Sequence, residues 1–164
     1  MLAKLGFSEG IFLRLLEMAS KYPAQSIQFH FLSSKIQLQN RKALKLFLVS
    51  IFKQEKTKLD SLTYVFCSDS YLLEINKEYL NHDYFTDIIS FNLGGPDAEV
   101  AGEIYISLDR VKENAKSLGE SYKKELHRVI FHGALHLCGY KDKKPAEVNL
   151  MRSKEDEYLE KYFG

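Results

Sequence analysis

The feature that most constrains the fold is how the hydrophobic period changes between Ser26 and Leu108. From Ser26 to Leu32, Ile27, Phe29 and Phe31 alternate with Gln28, His30 and Leu32, the period-two pattern of a strand. From Asn40 to Phe52 the period lengthens. Leu44, Phe47, Leu48, Ile51 and Phe52 form one helical stripe, and basic residues take the other side. Leu62 to Cys67 reads as a buried strand. A helix capped by Asp69 or Ser70 then runs through Tyr79. Strands follow at Thr86–Leu93 and Glu103–Leu108. The Gly94-Gly95-Pro96-Asp97 turn between them favours antiparallel pairing. Helices are expected from a cap at Asp109 to about Leu118, from Glu120 to about Cys138, and from about Pro145 to Tyr162. Two early strands separated by a helix, then a hairpin, then helices imply an α+β (mixed α/β) fold. Its centre is a mixed sheet of about four strands with helices packed on it.

The chain has 164 residues, the size of one ordinary domain. Its 45% hydrophobic content supports a core without disulfide staples. Residues 1–25 read as an N-terminal helical extension. Ser8 caps a helix over Ile11–Ala19, with Ile11, Leu15 and Met18 on one face, and Tyr22-Pro23 ends it. Residues 26–164 form a single domain. Cys67 and Cys138 do not make a disulfide framework, which points to a reducing compartment. Lys4, Glu9, Arg14 and Glu17 interrupt the N-terminal apolar residues, so neither a membrane span nor a signal peptide is expected. A cytoplasmic protein with no membrane partner is the expectation.

The net charge is +1, too low for a global positive field. The charge is unevenly spread, however. Lys35 to Lys58 carries +6, which leaves −5 for the rest of the chain. A solvated helix face is the plainer explanation. The functional one is a phosphate-facing surface, with Arg41, Lys42 and Lys45 as its candidate phosphate contacts.

The stretch with chemistry in it is Phe131 to Asp142. His132 and His136 are four apart in a helical segment, which puts both imidazoles on one face, one turn apart. Gly139 can take the left-handed conformation that stops the helix. Asp142 can then swing back as a third ligand. Two His and one carboxylate leave a position open for water, the pattern of a catalytic zinc site. The alternative is two helix-face histidines followed by a glycine cap and an exposed Asp.

His132-Gly-Ala-Leu-His136-Leu-Cys-Gly139-Tyr140 resembles the signature of the YbeY family, bacterial rRNA maturation factors: H-G-x-L-H-L-x-G-Y-D-H, continuing into E-x-x-x-M-x-x-x-E. Glu147, Met151 and Glu155 occupy those later positions. Two further blocks agree in order and spacing. Ile75-Asn76-Lys77-Glu78-Tyr79 with Thr86-Asp87-Ile88-Ile89-Ser90-Phe91 is similar to L-N-x-x-Y-R-x-x-x-x-T-D-V-L-S-F. Gly102-Glu103-Ile104-Tyr105-Ile106-Ser107 is similar to G-D-I-x-I-S. The resemblance implies a single zinc ion and a single-strand-directed endoribonuclease. It would act in small-subunit rRNA 3′-end processing and ribosome quality control, with ribosomal RNA and the ribosome or its small subunit as partners.

Two positions depart from the pattern. Asp142 stands where the family has a third histidine, and its extra negative charge makes a bound ion a weaker Lewis acid. Leu80 stands where the family has an arginine, so a phosphate-directed guanidinium is lost, for which Lys77 or His82 is a nearby substitute. The ligand spacing also resembles a metzincin-like metalloprotease. Those enzymes carry a glutamate base immediately after the first histidine, where this chain has Gly133. Asp87 and Glu103 are the candidate catalytic bases, each also explicable as a turn residue or an edge-strand residue facing solvent. A non-catalytic ribosome assembly factor with a structural zinc is the alternative from another class. Cys138 should point away from the ligand face as a core thiol, with Tyr140 and Met151 packing nearby. His127 lies off the ligand face, and His30 faces solvent.

Overall fold

The computed structural model of the protein describes residues 26–32, 38–95 and 98–164. The helix expected over Ile11–Ala19 lies outside these, as do Lys35 and the Pro96-Asp97 part of the turn. In chain order the elements are β1 (Ile27–Phe31), α1 (Arg41–Gln54), β2 (Leu59–Cys67), α2 (Asp69–Leu80), β3 (Ile88–Asn92), β4 (Val100–Ser107), α3 (Leu108–Leu118), α4 (Tyr122–Leu137) and α5 (Pro145–Phe163). The sheet order is β1-β2-β4-β3, with β1/β2 and β2/β4 parallel and β3/β4 antiparallel. This is the mixed four-stranded sheet with helices that the periodicity implied.

One placement corrects the sequence-based expectation. β4 is an inner strand and not an edge. The parallel β2/β4 pair needs a crossover connection, and α2 with β3 supplies it, which sends β3 to the rim.

The helix caps also shift by one or two residues. Ser68, Ser107 and Ser121 are the N-caps, accepting from the backbone N–H of Tyr71, Arg110 and Lys124. Asp69 and Asp109 sit one and two residues later and do a different job. The Asp109 carboxylate accepts from the Asp69 N–H at 2.9 Å, and Asp69 in turn accepts from the Ser107 hydroxyl at 3.2 Å and binds Arg110. Two helix N-termini therefore satisfy one another across the C-terminal ends of β2 and β4.

The expected stripe of α1 is buried in full, from Leu44 to Phe52, against one face of the sheet. α4 lies on the same face over β3 and β4. Two glycines seat it there. A Cβ on Gly133 would stand 2.8 Å from Ile88 Cδ1 and 2.9 Å from Ile104 Cδ1. A Cβ on Gly102 would meet Leu137 Cδ1 at 2.5 Å. The Tyr64 hydroxyl, wholly buried, donates to the Ile130 carbonyl at 2.9 Å and ties β2 to the same helix. α5 then packs along α4 through Met151, Tyr158, Leu159 and Tyr162. Among the described residues no helix is long and apolar enough to cross a membrane.

Candidate metal centre

Most of α4 is buried, including Leu126, Val129, Ile130, Phe131, Gly133, Ala134 and Leu135. One file along it is polar. Glu125, Arg128, His132 and His136 follow at steps of three and four residues, so they share a face. That face looks into the gap between α3 and α5. Gly139 has φ +97°, the left-handed geometry only a glycine takes easily, and it turns the chain back so that Asp142 meets the two imidazoles.

The imidazoles are oriented by their outer nitrogens. His132 Nδ1–H donates to Glu155 Oε1 at 2.7 Å, and His136 Nδ1–H donates to the Tyr140 carbonyl at 2.9 Å. Both partners are acceptors, so Nδ1 is the donor in each ring and Nε2 is the nitrogen turned toward Asp142. Asp142 Oδ2 lies 3.5 Å from His132 Nε2 and 3.3 Å from His136 Nε2. All three donor atoms fall within 4.8 Å of one another. A tetrahedral ion with bonds of roughly 2.0–2.1 Å needs ligand–ligand edges of about 3.3–3.4 Å. The two Asp–His separations are close to that spacing, so the three donors are grouped as a divalent ion would need them. Two nitrogens and a carboxylate oxygen, with outer-shell acceptors fixing both tautomers, are the chemistry of a metal site.

Glu155 braces the site from α5. It is 4% exposed, holds His132 with one oxygen and faces Arg128 Nη1 at 3.3 Å with the other. Arg128 also reaches Asp156 at 2.7 Å and Glu125 at 3.5 Å. Burial raises the Glu125 carboxyl above its ordinary range, opposed by the Arg128 charge. On the far side, burial raises Glu55, but hydrogen bonds from Tyr158, Tyr140 and Lys154 outweigh it and hold the carboxyl below its usual range. Burial pushes the Cys138 thiol up to about 12, so it stays protonated as a core group, as its helical angle implied. Met151 is buried, His30 is exposed, and His127 is enclosed by Phe131, Tyr162 and Phe163, well off the ligand face.

The site opens into a cleft of about 490 Å³ whose lining includes Asp87, Asn114, Arg128, His132, Asp142 and Arg152. Asp87 therefore shares the cleft, with its Oδ2 accepting from the Asn114 amide at 3.0 Å. Glu103 does not. Its neighbours Gly102 and Ile104 face α4, so Glu103 projects from the opposite face of the sheet, where the Tyr105 hydroxyl donates to it at 3.0 Å. Arg41, Lys42 and Lys45 are also remote. They open α1, and the other end of that helix, about 20 Å along by rise per residue, is the one tied to the Asp142 loop. Arg41 and Lys45 lie over the Phe31 and Phe29 rings. Of the nearby substitutes for the arginine absent at Leu80, Lys77 is paired with Asp83 at 2.7 Å and His82 with the Tyr84 hydroxyl at 3.0 Å. The cations that line the cleft are Arg128 and Arg152, which the sequence reading passed over. Arg128 was findable, because it stands four residues before His132 on the same helical face.

A family description, endoribonuclease YbeY, matches residues 26–163. The chain belongs to the YbeY endoribonuclease family. It is 46% identical over 135 residues to an endoribonuclease YbeY of Cytophaga hutchinsonii, covering 82% of this chain and 94% of the relative. It is 45% identical over 133 residues to that of Flavobacterium johnsoniae, covering 81% and 94%. Its fold is similar to the solution structure of a Thermotoga maritima protein, with TM-score 0.59, 30% identity, and coverage of 84% of this chain and 89% of that one. The YbeY match begins at β1, so residues 1–25 stand outside it.

Proposed function

We propose that the chain is a zinc-dependent, single-strand-specific endoribonuclease acting on ribosomal RNA, in small-subunit 3′-end maturation and ribosome quality control in the cytoplasm. The working unit is residues 26–164. The observation that carries this is the convergence of His132 Nε2, His136 Nε2 and Asp142 Oδ2 within 4.8 Å of one another, at the end of a cleft that two guanidinium groups also line.

Bound zinc would supply Lewis-acid polarisation of a phosphoryl oxygen and a water of lowered pKa. The remaining work falls to the chain. Arg152, exposed at the cleft and 3.6 Å from Glu155, meets the phosphate charge, while Arg128, enclosed by three carboxylates, braces Glu155. Asp87 is the carboxylate suited to accept a proton, since Asn114 occupies only one of its oxygens. Arg41, Lys42 and Lys45 contact RNA phosphates away from the cleft.

Two observations weigh against the other functions. Gly133 faces Ile88 and Ile104, so the position after the first histidine has neither side chain nor room for a peptidase base. The Asp142 side chain is 39% exposed, which suits an open coordination position better than the closed shell of a structural zinc.

The test is incubation of metal-replete protein with single- and double-stranded RNA, beside His136→Ala and Asp142→Ala, with zinc content measured on every sample. Cleavage of single strands by the wild type alone is expected. Activity that persists in both variants, or is absent from the wild type, overturns the enzyme. Cleavage of a peptide substrate would return the metalloprotease to consideration.

A further inference from the structure

The loop between α4 and α5 carries Asp142, the shortest of the three donor side chains. An aspartate reaches less far from the backbone than a histidine, so its backbone must be held closer to the other ligands. Two carboxylates outside the donor set do the holding. On the far side, Glu147 Oε2 accepts from the backbone N–H groups of Lys143 and Lys144, each at 3.1 Å. On the near side, the Tyr140 hydroxyl donates to Glu55 Oε2 at 2.7 Å. Only Lys141 and Asp142 lie between the two clamps.

Glu55 comes from the C-cap of α1, 85 residues away in the chain, and its side chain is only 12% exposed. Its other oxygen accepts from the Tyr158 hydroxyl and from Lys154 Nζ, which anchors it to α5 as well. Tyr140 has a second task, because its carbonyl is the acceptor that orients His136. One residue thus transmits the position of Glu55 to two of the three donors.

We propose that Glu55 is a positioning residue for the metal centre: through the Tyr140 hydroxyl it fixes both the loop that carries Asp142 and the carbonyl that orients His136. This rests on the metal site proposed above. It is a role in ion retention, carried by a helix that contributes no ligand.

The test compares full-length wild type with Tyr140→Phe, Glu55→Gln and the double variant. Tyr140→Phe removes one hydroxyl and leaves the ring and the carbonyl in place. Zn²⁺ affinity is read by competition with a chromophoric chelator, and amide exchange over Lys141–Lys143 is read on the metal-free protein. Each single variant should weaken zinc binding by about tenfold, the lower end of outer-shell effects. The double variant should be no weaker than the weaker single, since both break one link. Exchange in the loop should accelerate, while the metal-free melting temperature of Tyr140→Phe falls by no more than about 3 °C. Zinc affinity unchanged in both single variants, or losses that add in the double, would overturn the role of Glu55 while leaving the metal site intact. A wild type that binds no zinc would overturn both.

Discussion

Gly133→Ala tests whether close seating of α4 on the sheet is what orients the histidine face. The added methyl would stand 2.8 Å from Ile88 Cδ1, 2.9 Å from Ile104 Cδ1 and 3.0 Å from Ile104 Cγ2. Comfortable carbon–carbon separation is about 3.5–4.0 Å, so all three contacts must lengthen. The two Cδ1 atoms can swing away, at roughly 0.5–1.5 kcal/mol for each side chain driven off its rotamer. Ile104 Cγ2 is fixed to a branched carbon on a paired inner strand and yields less. Against this, alanine is the better helix former by about 0.8–1.0 kcal/mol. The balance is a net destabilisation of about 1 kcal/mol, with α4 displaced outward. Urea unfolding of the metal-free protein measures the first, and chelator competition for zinc measures the second through the movement of His132. The change Ile104→Val, which deletes one clashing methyl, should restore part of the loss in a double variant. A Gly133→Ala protein more stable than the wild type, with unchanged zinc affinity, would refute the close-packing account.

Three further outcomes are expected. Arg128→Met leaves buried Glu125 and Glu155 with only the more exposed Arg152, 3.6 Å from Glu155, and should cost about 3 kcal/mol, read from the urea midpoint; a loss below about 1 kcal/mol would show that the cluster is not coupled to folding. Burial holds the His127 pKa below its ordinary value, partly offset by its bond to the Lys123 carbonyl, and its Nε2 has no acceptor among the described residues. The unfolded chain therefore takes up the proton first, so this contribution is complete above about pH 6.5 and is lost as pH falls through the folded pKa; His127→Phe should flatten the stability–pH slope by up to about 1.4 kcal/mol per pH unit in that window, and parallel slopes would contradict it. Glu147→Ala frees two backbone donors at the start of α5 and should cost about 1 kcal/mol, seen as a thermal midpoint lower by about 2–4 °C; an unchanged midpoint would show the clamp to be idle.

The strands and helices were legible because each announces itself in its own period. The alternation of Ile27, Phe29 and Phe31 and the stripe from Leu44 to Phe52 are local patterns, and burial of one face follows from them directly. The caps were less legible. Ser68 and Ser107 compete with neighbouring aspartates of similar capping strength, and the choice was made by contacts between α2 and α3. The three-donor set was readable for the same reason as the helices: His132, His136 and Asp142 lie within eleven residues, and one helical turn plus one glycine turn determines their meeting.

Short-range geometry accounts for the strand and helix periods, the paired imidazoles, the glycine turn and the carboxylate that follows it. The tertiary structure decided what surrounds them. Insertion of β4 beside β2 turned Glu103 to the far face and carried Asp87 into the cleft. Packing of α5 on α4 brought Glu155 to His132 across 23 residues of chain, and the end of α1 brought Glu55 to Tyr140 across 85. Those partners have no periodic signature. Their distances are set by how the helices pack on the sheet, and only the closed fold brings them within hydrogen-bond reach.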